Sequence, residues 1–507
     1  MGDSAPRRRA LSGRAAVLPE DHRGLVRNRR ESIPARCRRR LRRGARSDGV
    51  QGDRMSGARQ ENVRTLAAAI GRSEAEVEQL LDATVLITCA PGGERLAHYV
   101  EILLARTLSN VRRDVGSAPA VEVVLGAAAP RSRARVIGVG VDGYRLEVRE
   151  GAVALGAAAR PIVQLVAACY AAAAAVHTAI GAELPVPLRM PLSVDLEHLY
   201  GAAIARLDER IELGRCFMAG AGAIGNAVLA GFSTLDVHGE LHICDPDDAS
   251  DGNLNRCWWF DHEDLEKPKA ERLVVRAQAS MPNLRLAPHV VTLRDAIKTM
   301  GEKPPETLIV GVDSRRARRS LQSEMPRRVF DASTTGITEL VLHVNEALTD
   351  RACMSCVYHE APDEGAHEAH VADALGVGLA NVRQNFVSAD AAREIAKKYP
   401  ELDAAQLQGL AYDSLFKQLC GKGQLKTSTA ERVLAPFGFV SVLAGVMLAI
   451  EIAIRTGDVR QAPAHNYWRI SPWGAPIARM REQRAKRPGC EFCGNSTLQG
   501  VVKSLWG

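Results

Sequence analysis

Runs of apolar residues of two periods divide the chain into two stretches built on one plan. Residues 56–82 repeat apolar positions at helical spacing, ENVRTLAAAIG and then SEAEVEQLLDA, with Ser73 placed as a cap and Glu76 three residues on. Thr84–Cys89 is a short apolar run of strand type. Ala90-Pro-Gly-Gly-Glu94 is a turn, and Arg95–Ser109 is an amphipathic helix. Val121–Leu125, Arg135–Val141 and Tyr144–Val148 read as strands, and Pro161–Gly181 as a long, alanine-rich buried helix. The proline-marked LPVPLRMPLSV ends this stretch, so residues 56–200 form one α/β unit.

The second stretch starts near Arg206 and repeats the plan. Cys216–Ala219 is a buried strand, Gly220-Ala-Gly222-Ala-Ile-Gly225 a turn, and Asn226–Phe232 a helix. Strands are expected at Glu240–Cys244, Leu284–Pro288, Val290–Thr292, Leu308–Val312, Val329–Asp331 and Leu340–Val344. Residues 357–430 turn polar, with three helices, Glu368–Leu379, Ala389–Lys398 and Ala404–Leu419. Leu434–Thr456 returns to an apolar helix. Each half thus begins with strand, glycine turn and helix, and ends in a long apolar helix. The first turn, APGGE, lacks the three-glycine spacing. The fold expected is α/β, two Rossmann-like halves forming a pseudo-dimer, one half degenerate, with two unrelated α/β domains as the alternative. The boundaries are 55–205 for the degenerate half, 206–507 for the other, and 357–430 for a helical insert.

Composition changes this picture at one end. The chain has 507 residues and a net charge of +7. Residues 1–54 hold sixteen arginines against six acids, a balance of +10, which leaves −3 for the rest. The body therefore carries no global signal for nucleic acid. The arginine-rich segment lacks apolar periodicity and reads as disordered. It is either a targeting or nucleic-acid arm or an untranslated extension upstream of a start at Met55. No apolar run reaches the roughly 18–20 residues of a membrane span; Ile162–Ala179 approaches that length but is mostly alanine and reads as a buried helix. Eleven cysteines without a secretory signal point to a reducing, cytoplasmic setting, where cysteine serves metal or catalysis.

The chemistry lies between Gly220 and Asp313. Gly220, Gly222 and Gly225 let backbone approach a phosphate at a helix N-terminus. Asp245 ends the second strand and can accept from ribose hydroxyls. Read alone, this is also a dehydrogenase's NAD site. Arg256 and Lys269 argue otherwise, because two cations beyond the ribose acid suit a triphosphate whose charge grows as pyrophosphate leaves. Asp313, at the end of a central strand, can hold Mg²⁺. Asn253 as a turn residue, Lys269 as a solvated charge and Asp313 as a helix cap are the plainer readings. Cys353-x-x-Cys356 and Cys490-x-x-Cys493 make a tetrathiolate zinc set, 133 residues apart, that would clip the C-terminal tail to the domain; a redox pair is the alternative.

Taken together, GAGAIG, Asp245, Gly252-Asn253-Leu-Asn-Arg256, Pro268-Lys269-Ala-Glu271 and Asp313-Ser314 resemble the ubiquitin-activating, ThiF-like adenylyltransferase superfamily. The match covers roughly 214–356 and 430–493. It departs from the family pattern at Gly252, usually Ser, and Cys257, usually Gln. The resemblance implies an ATP site from Gly220, Gly222, Gly225, Asp245, Asn253, Arg256, Lys269 and Asp313, with Mg²⁺ and a structural Zn²⁺. It implies a ubiquitin-like protein as substrate, and pairing of two halves with a further homodimer left open. It also implies an arginine reaching the ATP from the other half, with Arg64 as the candidate, Arg59 as the alternative and an ordinary surface helix as the plain reading.

Thioester-forming members carry a cysteine between the zinc Cys-x-x-Cys and the last long helix, and Cys420 alone lies there. Lys417 and Lys422 would favour its thiolate. Cys257, next to the nucleotide motif, is its rival, and an incidental helix-end cysteine is the plain reading. His359, His367 and His370 read as solvated. The function expected is adenylation of a ubiquitin-like protein, thioester formation on Cys420 and transfer to a conjugating enzyme. The arrangement resembles bacterial conjugation systems linked to antiphage defence. Alternatives are a sulfur-carrier adenylyltransferase, an NAD oxidoreductase and a non-enzymatic scaffold.

Overall fold

Two helices, α1 (Gly57–Ile70) and α2 (Glu74–Leu81), lead into the first sheet of the computed structural model. The structure describes residues 57–507 except 117, 182–183, 302, 361–363, 385, 411, 422–435 and 457–463. The expectations for residues 1–54 and Met55 lie outside the described residues. Ser73 caps α2 by a reciprocal pair with Glu76.

The first half then runs β1 (Thr84–Cys89), α3 (Glu94–Ala105), β2 (Asn110–Arg112), β3 (Val121–Leu125), β4 (Arg135–Asp142), β5 (Arg145–Glu150), α4 (Pro161–Ile180) and β6 (Leu192–Asp195). Its sheet has the order β2-β1-β3-β4-β5-β6. The first four of these strands are parallel and the last two antiparallel.

The second half runs β7 (Ile211–Ala219), α5 (Ala223–Phe232), β8 (Val237–Cys244), α6 (Lys269–Ala277), β9 (Leu284–His289), α7 (Leu293–Met300), β10 (Thr307–Val310), α8 (Arg315–Leu321), β11 (Arg328–Thr335) and β12 (Glu339–Glu346). Among the described residues the insert then forms α9 (Glu364–Leu375), α10 (Leu379–Val382), α11 (Ala389–Lys398), α12 (Ala404–Leu407) and α13 (Tyr412–Gly421). The chain closes with α14 (Gly438–Arg455), β13 (Tyr467–Ile470), β14 (Arg481–Glu482) and α15 (Ser496–Trp506). This sheet has the order β14-β13-β12-β11-β10-β7-β8-β9.

Set β7, β8, β10, β11, β12 and β13 against β1 to β6, and spatial order and strand direction coincide. The second sheet adds β9 and β14 at its edges. The long helix precedes the last shared strand in both halves. Two Rossmann-like halves are therefore present, as the hydrophobic pattern implied. Central strands such as β3 are buried throughout because helices cover both faces.

The two long helices join the halves. α14 packs against α4 and α5, and every one of its residues is buried. Burying each large aliphatic side chain contributes about 1.5–3 kcal/mol, so this seam is a principal source of cohesion. Close approach depends on glycine. A Cβ on Gly445 would lie 2.3 Å from the Ala227 Cβ, and one on Gly231 2.6 Å from the Ala449 Cβ. By length and hydropathy both α4 and α14 could cross a membrane, which corrects the reading that no run reaches that length. Their candidate windows are 83% and 100% buried in the fold, which covers their apolar faces with protein.

Four local expectations are corrected. Residues 290–292 form no strand; Thr292 caps α7, and Val290 and Val291 are exposed. Glu368–Leu379 is not one helix, because Gly376 at φ +74° ends α9. Ala404–Leu419 is likewise broken before α13, with Gly409 at φ +84°. The insert has its own small core, Val371, Leu375, Ile395, Phe416 and Leu419 among it. Finally, the insert histidines differ from one another. His367 is exposed, whereas His370 is half-buried and both rings meet Phe416 edge-on.

Candidate active site

The carboxyl ends of β7, β8 and β10 bring the nucleotide motif together. The three glycines do different work. Gly220 has φ +102°, and a Cβ there would sit 2.9 Å from the Gly311 carbonyl carbon, so the β10 loop closes on it. A Cβ on Gly225 would lie 2.3 Å from the Gly220 oxygen. Gly222, at the N-terminus of α5, has no atom within 4 Å of that position. Two glycines permit packing, and the third faces open space at a helix N-terminus.

Asp245 follows β8 and is buried. Its Oδ2 accepts the Ala221 N–H at 2.6 Å and its Oδ1 the Asp247 N–H at 2.9 Å, so it braces the glycine turn. Burial pushes its carboxyl up to about 6, against the pull of Lys269. Lys269, at the start of α6, is also buried and donates to Asp247 Oδ2 at 2.7 Å. Burial alone would lower the pKa of Lys269; Asp247 and Asp245 outweigh it and hold the ammonium charged. Asp247 was missed in the sequence. The signal was its place two residues after Asp245.

The segment 250–260 folds over this edge. Asn253 closes a local turn, its Oδ1 accepting the Ser250 N–H at 3.0 Å. Arg256 donates from Nη1 to the Gly252 carbonyl and to Asn255 Oδ1, both at 2.8 Å. Asn226 on α5, also missed, ties this segment to the turn. Its Nδ2 donates to Ala221 and Gly222 carbonyls at 2.8 and 3.0 Å, and its Oδ1 accepts the Trp259 N–H at 2.9 Å. Asp313 lies exposed three residues past β10, beside Ser314, which caps α8. The structure thus sets Gly222, Asp245 and Lys269 at one edge, with Arg256 on the segment that Asn226 ties to the turn and Asp313 on the adjoining loop.

The first half supplies α1 to this region. A Cβ on Gly252 would meet Glu61 Cγ at 3.3 Å, and Glu61 pairs with Arg64 at 3.7 Å. Arg59 instead bonds Asp82 at 2.8 Å and the Glu78 carbonyl at 3.3 Å, toward α2. The first half's own turn differs. Gly93 occupies the place of Gly222, and a Cβ there would meet Ala157 Cβ at 2.8 Å. Ala157 would also lie 2.9 Å from a Cβ on Gly126, the counterpart of Gly311. After β2 comes Arg113, paired with Glu101 at 2.7 Å, where the second half has Asp245. The segment 153–159 thus fills the space above this turn.

The four sulfurs of Cys353, Cys356, Cys490 and Cys493 lie within 4.8 Å of one another. Separations are 3.7 Å for Cys353–Cys356, 3.8 Å for Cys353–Cys490 and for Cys356–Cys493, and 3.2 Å for Cys353–Cys493. Metal–sulfur bonds of about 2.3 Å in a tetrahedron put sulfurs about 3.8 Å apart, so the set fits zinc. The Arg487 and Cys493 N–H groups donate to Cys356 and Cys490 sulfurs at 3.3 and 3.4 Å. The cluster joins the tail to the loop after β12, and zinc there would serve as a structural clip.

Cys420 stands near the end of α13; its side chain, that of Lys417, and residues 422–423 lie outside the described residues. The helix is docked by Asp413, whose Oδ2 accepts from Ser314 Oγ at 2.7 Å. Buried Arg316 faces Glu364, Glu368 and Asp413 at 3.7, 3.7 and 3.9 Å. Its rival Cys257 is fully buried, and burial pushes its thiol pKa up. Cys244 is pushed up to about 12, and Cys169 and Cys216 higher, for the same reason.

Residues 199–492 match the model of the ThiF family. The chain belongs to the ThiF family. Residues 55–202 match the E1 N-terminal domain. The uncharacterised protein y4jF of Sinorhizobium fredii is 25% identical over 378 residues, 70% of this chain and 71% of that one. The NEDD8-activating enzyme E1 catalytic subunit of Saccharomyces cerevisiae is 26% identical over 156 residues, 29% of this chain and 51% of that one. Among solved structures, E. coli MccB with ATP is 14% identical, with a TM-score of 0.34 over 58% of this chain and 71% of that one. Membership places the chain among E1-like adenylyltransferases, whose members use ATP and Mg²⁺. It supports the ATP reading of the glycine turn over the NAD reading.

Proposed function

We propose that this chain activates a ubiquitin-like protein. The second half binds Mg·ATP and the first half is catalytically silent. The observation that carries the reading is the meeting of open Gly222, buried Asp245 and charged Lys269 at one sheet edge of a ThiF-family fold, with Arg256 on the segment tied to that turn by Asn226. Asp245 accepts from the ribose, the α5 N-terminus receives phosphate, and Arg256 and Lys269 take up charge on the triphosphate. Mg²⁺ held by Asp313 and phosphate oxygens would neutralise further charge. The yeast relative is by name a NEDD8-activating enzyme, which supports a ubiquitin-like substrate.

In the reaction, a C-terminal carboxylate oxygen of the carrier attacks the α-phosphorus, and the bond to pyrophosphate breaks. The Cys420 thiolate then attacks the acyl carbon, a thioester forms, and AMP leaves. A conjugating enzyme receives the acyl group. The silent first half is supported by the filled turn at Gly93 and by Arg113 in the place of the ribose acid. The order of halves and insert, which resembles bacterial conjugation systems linked to antiphage defence, supports a role in such a system. Genes for a ubiquitin-fold protein, a conjugating enzyme and a metallopeptidase beside this one are the expected companions.

The test uses Mg·ATP and a ubiquitin-fold protein encoded next to this chain. A thiol-reducible adduct on non-reducing gels is expected with the parent. Cys420→Ala should abolish the adduct while ATP–pyrophosphate exchange persists. Exchange without any adduct in the parent would favour a sulfur-carrier adenylyltransferase. NAD binding without ATP binding would overturn adenylation itself.

A further inference from the structure

Between the halves runs a chain of buried amides that ends on Arg256. The Arg106 main-chain carbonyl accepts from Asn62 Nδ2 at 2.6 Å. Asn62 Oδ1 accepts from Asn255 Nδ2 at 3.0 Å, and Asn255 Oδ1 accepts from Arg256 Nη1 at 2.8 Å. Asn62 is 2% and Asn255 1% exposed, so each would incur a large cost if left unpaired. The direction of the chain is forced from both ends. A carbonyl oxygen can only accept and a guanidinium can only donate, so neither amide can reverse without losing a bond. Asn62 belongs to α1 and Arg106 follows α3, both in the first half. Asn255 and Arg256 belong to the second.

The support is stiff on both sides. Arg106 itself crosses back, donating to the Leu254 carbonyl and, from Nη2, to the Trp258 carbonyl at 2.9 Å. Asn255 is pressed against the start of α14, where a Cβ on Gly438 would lie 2.7 Å from its carbonyl oxygen. Among the described residues Arg256 donates from Nη1 alone, which leaves its Nε and Nη2 open to a ligand.

We propose that Asn62, through Asn255, is a positioning residue for the triphosphate. The first half acts on the reaction by fixing the plane of the Arg256 guanidinium, not by adding a charge. This rests on the adenylation reading above, in which Arg256 takes up charge on the triphosphate; the relay assigns that contact to the phosphates beyond the α-position. A guanidinium held in one plane meets phosphate oxygens without reorganising. Released, it retains its charge and loses its alignment.

The relay is tested on the full chain by calorimetric binding of Mg·ATP and of AMP, which lacks the phosphates Arg256 addresses. Asn62→Ala and Asn255→Ala are each expected to weaken Mg·ATP about tenfold, and to leave AMP binding within about twofold. Combining Asn62→Ala with Arg256→Ala should weaken Mg·ATP no further than Arg256→Ala alone. Equal loss of ATP and AMP, or additive loss in the double variant, would overturn the relay. If Asn62→Ala does not fold, Asn255→Ala reads the same link from the second half. Loss of ATP affinity in Arg256→Ala but in neither asparagine variant would overturn the relay alone. A parent chain that binds no Mg·ATP would overturn the adenylation reading and the relay with it.

Discussion

Asp245 shows how one residue serves the fold and the site in opposite senses. Its carboxylate braces the glycine turn through two backbone N–H groups, yet burial raises its pKa to about 6. A carboxyl whose folded pKa is raised contributes stability below its ordinary pKa, and that contribution is lost as pH rises through the folded value. Relative to an Asp245→Asn variant, the parent should therefore gain in melting temperature as pH falls from about 6 toward 4, and show no trend above pH 7. Over the same window its Mg·ATP affinity should decline, because protonation removes an acceptor for the ribose. Thermal unfolding and calorimetry across pH check both; a parent that loses on the variant as pH falls would refute the assignment. Lys269 is the complementary case. Its role as a cation was legible from the P-K-x-E spacing, while its partner Asp247 emerged only once β8 and α6 were seen to converge.

At the scale of elements, glycine turns, caps and long apolar helices were the legible features. Ser73 and Glu76 announced the start of α2, and the apolar runs announced α4 and α14. Short elements were not legible, since β2, β14 and α12 depend on neighbours that sequence periodicity does not describe. The cysteine spacing announced two half-sites; the sheet brought them within bonding reach of one metal. Each thiolate lost should release the tail. Native mass spectrometry is expected to show one zinc per chain, absent in Cys490→Ser, and limited proteolysis should then cut the segment 486–507 that the parent protects. Zinc-loaded Cys490→Ser with a protected tail would refute the clip.

For the whole molecule, the seam between the halves is the decisive structure. α4 and α14 bury apolar faces against one another, α14 packs on α5 as well, and the Arg106 and Asn62 contacts also join the two halves. A chain lacking residues 57–200 exposes the face of α14 that α4 covers. It is expected to aggregate or self-associate in size-exclusion chromatography, whereas the full chain gives a discrete species; a discrete, ATP-binding fragment would show that the second half stands alone. By itself, the sequence determined the two α/β halves, the glycine turn, Asp245 at a strand end and the zinc-type cysteines. These depend on local period and spacing, which a linear chain displays directly. Tertiary structure alone decided that 153–159 fills the first turn, that Asp247 holds Lys269, and that Asn62 reaches Asn255 across 193 residues and through it Arg256. Those relations arise from packing between distant segments, where burial forces polar groups to find partners that no local pattern announces.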